Sequence, residues 1–207
     1  MGDDALDGDT AIRSGAARAA LMSTVRLLLD RSIHSRPDDD RLVRAKALVE
    51  EANRILGEPQ RRQRRTLSTA ANDEGPWDPG QVLSSHLIYG PEHPFSPEHI
   101  SVQVHGASLS GTARYNQVYE GPPGLVHGGV IAAVFDGIQA TVAAVGGRTG
   151  ALTHTLTVRY LIGTPIERDL RLAARVDRVE GRKLFTAATI SVGDDVTAES
   201  TGLFIRR

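Results

Sequence analysis

At 207 residues, with 40% apolar side chains, the chain is long enough for one cored domain or one domain with a helical extension. A formal net charge of −1 argues against a nucleic-acid binder held by bulk electrostatics. The absence of cysteine excludes disulfides, thiol nucleophiles and cysteine-based zinc sites.

The chain opens Met1-Gly2-Asp3-Asp4, which is acidic and lacks the basic and apolar blocks of a signal peptide. No apolar run approaches the length of a bilayer span, so a cytoplasmic protein without a membrane span is expected. Residues 10–57 predict two helices. In the first, Ile12, Ala16, Leu21, Val25, Leu28 and Ile33 recur at helical spacing. The second starts behind Pro37 with Asp38, Asp39 and Asp40, acids suited to a helix N-terminus. Its Leu42, Ala45, Val49, Ala52 and Leu56 repeat 3-4-3-4, and Gly57 with Pro59 supplies the stop. The apolar stripe of this amphipathic hairpin, residues 1–60 as a unit, is expected to pack on something.

Residues 61–100 carry Pro76, Pro79, Pro91, Pro94 and Pro97 and predict an irregular linker or wrap. The basic run Arg61-Arg62-Gln63-Arg64-Arg65 reads as a solvated stretch, because the first 75 residues balance 13 basic against 13 acidic side chains. His93, His99 and His105 are spaced by six, but Pro94 and Pro97 between them deny a shared face. Neither a metal site nor a cofactor is expected.

From residue 101 the pattern turns to strands. Ser101–Leu109 and Thr112–Tyr119 predict a hairpin around Ser110-Gly111. A helix follows at about 128–145, apolar nearly all round and therefore buried on most faces. The Gly146-Gly147-Arg148-Thr149-Gly150 segment follows a helix and lacks the Lys-Ser/Thr ending of a phosphate loop, so it reads as a helix-to-strand connection. Leu152, His154, Leu156, Val158 and Tyr160 then alternate with polar residues at a period of two. Leu170–Val179 turns at Glu180-Gly181 into Leu184–Val192, and Gly193-Asp194-Asp195 turns into Val196–Ile205. Such an antiparallel sheet wrapped around one long buried helix, an α+β class, is the hotdog arrangement, placed at 101–207.

The chemistry concentrates at Pro123-Gly124-Leu125-Val126-His127-Gly128-Gly129, with Asp136 two turns into the helix. A helix N-terminus offers unpaired N–H groups and partial positive charge to a developing oxyanion. A carboxylate in an apolar run is costly unless it has a partner or a task. At 1.5 Å per residue, Asp136 lies roughly 10–12 Å from Gly128 or Gly129, too far for both to touch one reacting carbon. Two such helices packed antiparallel would bring the glycines of one chain opposite Asp136 of the other. An isologous homodimer with two composite sites is expected, with an isolated protomer inactive.

Glu120-Gly121-Pro122-Pro123-Gly124-Leu125-Val126-His127-Gly128-Gly129 with Asp136 nine residues after the histidine resembles the PaaI-like acyl-CoA thioesterases of the hotdog superfamily. The likeness extends over about 85–207 and is strongest to the branch with an EGPPG-x-x-HGG stretch. It implies hydrolysis of acyl-CoA to free fatty acid and coenzyme A. It implies that Asp136 activates water or attacks the thioester, that a Gly128 or Gly129 N–H polarises the carbonyl, and that Thr153 assists the carboxylate. His127 either hydrogen-bonds the carbonyl or fixes the loop. The resemblance also lets Arg182 and Lys183 meet the coenzyme A phosphates. Many PaaI-like enzymes carry Asn or Gln six residues before the histidine, where this chain has Gly121. Two other readings are a non-catalytic acyl-CoA-binding regulator whose N-terminal helices contact a partner or DNA, and a hotdog dehydratase, which needs a differently spaced His/Asp pair. The implied partners are the acyl-CoA substrate and a second copy of the chain, or a dimer of dimers, with no nucleic acid.

Overall fold

The computed structural model describes residues 4–58, 86–97, 99–145 and 151–206, with backbone alone for 4–14. The basic run at 61–65 and the connection at 146–150 lie outside the described residues.

Two helices lead the chain, α1 (Asp4–His34) and α2 (Asp39–Leu56). Asp38 caps α2 by accepting from the Arg41 N–H at 2.9 Å, and Gly57 ends it at φ 72°, as the acidic start and glycine stop require. No residue of α2 is buried, and Leu42, Val43, Leu48, Ile55 and Leu56 are exposed. The expectation that the stripe packs is therefore not met for α2 within one chain's described residues. Helix α1 does dock. Its Arg26 Nη1 donates to the carbonyls of Pro91 (3.4 Å) and His93 (3.2 Å), and Arg18 lies 3.7 Å from the Glu92 carboxylate.

One six-stranded antiparallel sheet forms the body, built from β1 (His99–His105), β2 (Ser108–Arg114), β3 (Ala151–Tyr160), β4 (Leu170–Glu180), β5 (Lys183–Val192) and β6 (Asp195–Arg206). Their order is β1-β2-β4-β5-β6-β3, so β1 and β3 are its edges. Helix α3 (Gly128–Val145) lies on one face, touching β2 through β6. Phe135, Ile138 and Val142 are fully buried there against Leu170, Leu172 and Ile190. This is the hotdog architecture expected from the alternation of one apolar helix with antiparallel strands.

The first hairpin turns at Gly106-Ala107, with His105 opposite Ser108, and not at Ser110-Gly111. Gly106 takes φ 58°, the left-handed value a two-residue hairpin needs at its first central position. Gly111 sits mid-strand because a Cβ there would meet the Ser101 carbonyl oxygen at 2.4 Å. The β4–β5 turn is likewise one residue later than expected, at Gly181-Arg182, and the last is at Gly193-Asp194.

Helix α3 also corrects the expectation about membrane length. Its 18 residues are long and apolar enough to cross a bilayer by length and composition alone. Half of that stretch is buried inside the protein, where Gln139 and Thr141 are hydrogen-bonded. That is the environment of a core helix.

Candidate active site

Asp136 and Thr153 meet. The Thr153 hydroxyl donates to Asp136 Oδ1 at 2.8 Å, joining the helix to the edge strand β3. A β-bulge makes this possible. Thr153 pairs with Phe204 and Thr155 with Leu203, so His154 is the extra residue of the strand. Leu156 and Val158 face the core, and strict alternation would send Thr153 to the opposite face. The bulge shifts the parity by one and returns Thr153 to the helix side. Leu152 is consequently turned to the outer face and half exposed, against the unbroken alternation expected.

The helix N-terminus is a second, separate cluster. His127 caps α3: its carbonyl accepts from Val130 (2.9 Å) and Ile131 (3.2 Å), and its Nδ1 accepts from the Gly129 N–H at 2.9 Å. The ring thereby fixes the helix start, and its proton sits on Nε2. The Gly129 N–H is thus occupied, whereas the Gly128 N–H has no acceptor among the described residues. Tyr160 backs this turn, its hydroxyl donating to the Gly128 carbonyl at 2.9 Å. The preceding loop is held by Val126 N–H to Thr164 (2.8 Å) and His127 N–H to Tyr119 (2.8 Å). Gly121 packs so closely that a Cβ would lie 2.8 Å from the His127 Cα. An Asn or Gln side chain has no room there, so amide assistance from that position is excluded.

The two clusters share one face of α3. Besides the end residues Gly128 and Val145, the positions of this helix left partly or fully open are Gly129, Ala132, Ala133, Asp136, Ala140 and Ala144, linked by steps of three and four. The structure does not join Gly128 to Asp136 within one chain, since about two turns separate them. Arg182 and Lys183 form a third location. Both are exposed at the β4–β5 turn, and Lys183 shares a cross-sheet row with Ile205 and Leu152, about 10 Å from β3 at two strand spacings. His99 and His105 end the same strand roughly 20 Å apart, which no single ion bridges.

Two functional neighbours carry no signal in the sequence. His86 is one: its ring Cε1 comes within 3.2 Å of where a Cβ on Gly137 would lie, beside Asp136, and it stacks on Tyr89 at 4.0 Å. Its Nδ1 accepts from the Ile88 N–H at 3.2 Å, which leaves the proton on Nε2. Burial pushes this imidazole down to about 4, against an upward pull from the Asp136 carboxylate and a further downward push from His93. Gln139 is the other. Fully buried, it donates to Ser200 Oγ (2.9 Å) and accepts from Thr186 Oγ1 (2.6 Å), pinning α3 to β5 and β6 three residues beyond Asp136. A single polar residue in an apolar helix would reveal Gln139 only if its strand partners were known.

Residues 123–199 match the family model described as Thioesterase superfamily. This stretch is similar to a thioesterase-superfamily domain. The acyl-coenzyme A thioesterase THEM4 of Xenopus laevis is 39% identical over 89 residues, 42% of this chain and 40% of that protein. THEM5 of Homo sapiens is 32% identical over 89 residues, 42% of this chain and 36% of that protein. The chain thus spans well under half the length of the curated relatives it matches. A crystal structure described as a thioesterase superfamily protein aligns at TM-score 0.75 and 28% identity, covering 91% of this chain and 90% of its own. A Streptococcus mutans protein solved with acetyl CoA shares the fold at TM-score 0.50 and 18% identity, over 53% of this chain and 90% of its own.

Proposed function

We propose that this chain hydrolyses acyl-CoA thioesters as an isologous homodimer, each site joining the α3 N-terminus of one protomer to Asp136 of the other. The observation that carries the reading is the Thr153–Asp136 bond at 2.8 Å on the otherwise small-residue open face of α3. A carboxylate oriented by a hydroxyl, on a face whose alanines let a second helix approach closely, suits a base completed by a partner.

The thioester carbonyl oxygen rests on the Gly128 N–H, at the positive end of the helix dipole. His127 holds the turn that aims this N–H. Asp136 takes a proton from water as the water oxygen bonds the carbonyl carbon. Collapse of the tetrahedral intermediate breaks the C–S bond and releases coenzyme A thiolate, which takes up a proton, with free fatty acid. A direct attack by the carboxylate would use the same atoms and pass through an anhydride. Arg182 and Lys183 bind the coenzyme A phosphates as exposed cations at the end of the sheet. The resemblance to named acyl-coenzyme A thioesterases supports the substrate class.

An acyl-CoA panel assayed with wild type and Asp136→Asn tests this. Turnover lost on substitution, with folding intact, is the expected result. Retained turnover overturns the assignment.

A further inference from the structure

The segment His86–Pro97 lies outside the family-matched stretch, yet it reaches the carboxylate helix. Ile88 is 3% exposed and packs with the α3 core. A Cβ on Gly137 would meet both Ile88 Cγ1 and His86 Cε1 at 3.2 Å, so a glycine after Asp136 lets the segment approach this closely without displacing either side chain. Tyr89 hydrogen-bonds Thr141 one helical turn further on. From outside, the segment is clamped by Arg26 of α1 on the Pro91 and His93 carbonyls and by Tyr119 Oη on the Phe95 carbonyl (3.1 Å), and within it Ser96 Oγ donates to the Ile88 carbonyl (3.2 Å). An imidazole held on all these sides loses little entropy in acting.

Its chemistry is equally defined. Nδ1 is committed to the Ile88 N–H, so the neutral ring presents Nε2–H as a donor. Asp136 Oδ1 is engaged by Thr153, while Oδ2 has no partner among the described residues. We propose that His86 is a positioning residue of the carboxylate centre, its Nε2–H reaching Asp136 Oδ2 through one water and so ordering the water that attacks. On this reading α1 is part of the catalytic architecture, because it fixes the segment that delivers His86. The role given to the water rests on the hydrolase reading above; the coupling of His86 to Asp136 does not.

The full-length protein labelled with 15N-histidine provides an activity-independent test. Asp136→Asn is expected to move the His86 Nε2 resonance, assigned by its loss in His86→Gln, and to leave that of the exposed His105 in place. Kinetics supplies the second arm. Asn places an acceptor where Nδ1 was and keeps the Ile88 bond; Gln places an N–H donor where Nε2 was. His86→Gln should hold kcat within about threefold and His86→Asn should lose about tenfold, with KM unchanged in both, the scale of one hydrogen bond acting in the chemical step. An unmoved His86 resonance overturns the proposal, and so does full kcat in His86→Asn. A moved resonance in a chain that hydrolyses no acyl-CoA upholds the His86–Asp136 coupling and rejects the hydrolase reading instead.

Discussion

Thr153 reaches Asp136 because His154, its neighbour in β3, has no partner in the ladder. The extra residue turns one hydroxyl from the outer face of an edge strand to the inner one. A bulge next to a functional group is a common way of re-aiming a side chain.

Thr153→Val keeps the shape of the side chain and removes its donor. A hydrogen bond to a charged group contributes about 1.5–3 kcal/mol, so kcat for acyl-CoA should fall roughly tenfold to a hundredfold. Thr153→Ser should stay close to wild type. Steady-state assays of both variants check the role, and a loss in Thr153→Ser as large as that in Thr153→Val would mean the hydroxyl alone does not account for it.

Gly128→Pro is a clean deletion of one N–H. Proline is tolerated at the first helical position, where its fixed φ suits the helix. With the oxyanion donor gone, kcat should drop by about 10²–10³ while circular dichroism stays unchanged. Wild-type turnover in this variant would move the oxyanion site elsewhere.

Mixed dimers test the composite site. Gly128→Pro and Asp136→Asn protomers, each inactive alone, leave one intact site when paired with each other. Equal mixing after reversible dissociation should recover about a quarter of wild-type activity, since half the dimers are mixed and each has one working site. No recovery, with exchange verified by mass, would place both groups of a site on one chain.

Gly202 lies against the polar trio under α3, and a Cβ there would stand 2.6 Å from both Gln139 Oε1 and Thr186 Oγ1. Gly202→Ala should lower stability by about 2 kcal/mol, the middle of the range for overpacking a closed site. Gln139→Leu strands the Ser200 hydroxyl and leaves Thr186 only the Gly202 carbonyl at 3.4 Å, and should cost about 1–3 kcal/mol. Denaturant melts read both directly.

His86 makes stability depend on pH. Its pKa is depressed to about 4 in the folded chain, from 6.5 unfolded, so the unfolded chain binds the extra proton first. The contribution is full above pH 6.5 and is lost as pH falls toward 4. After allowance for solvent screening it amounts to about 2 kcal/mol. Thermal melts of wild type and His86→Gln between pH 7 and 4 should converge as the pH falls.

Much of the architecture is legible in the residues. Helix α3 stands at Gly128–Val145, where a run that is apolar nearly all round follows the Gly-Gly pair. Asp38 and Gly57 mark α2 for the same local reason. The first hairpin is not legible in this way: Gly106 and Gly111 look alike in sequence, and only the cross-strand approach to Ser101 tells a turn glycine from a strand glycine. Within the site, Asp136 and the His127-Gly128-Gly129 turn stand out by type and spacing. His86 lies 50 residues from Asp136 and Gln139 finds its partners 47 and 61 residues away, so neither leaves a local pattern.

The buried Gln139 trio acquires a sharper meaning in the proposed pair of helices. Two-fold symmetry doubles every axial error: if α3 slid one residue along its own axis, about 1.5 Å, the gap between one helix's N–H and the other's carboxylate would change by about 3 Å. Apolar packing resists such a slide through shape alone, with no directional bond to lose. A side-chain amide that must meet Ser200 on one side and Thr186 on the other has two. The trio works as a gauge stop, setting with one buried amide a tolerance that the symmetric site needs twice over.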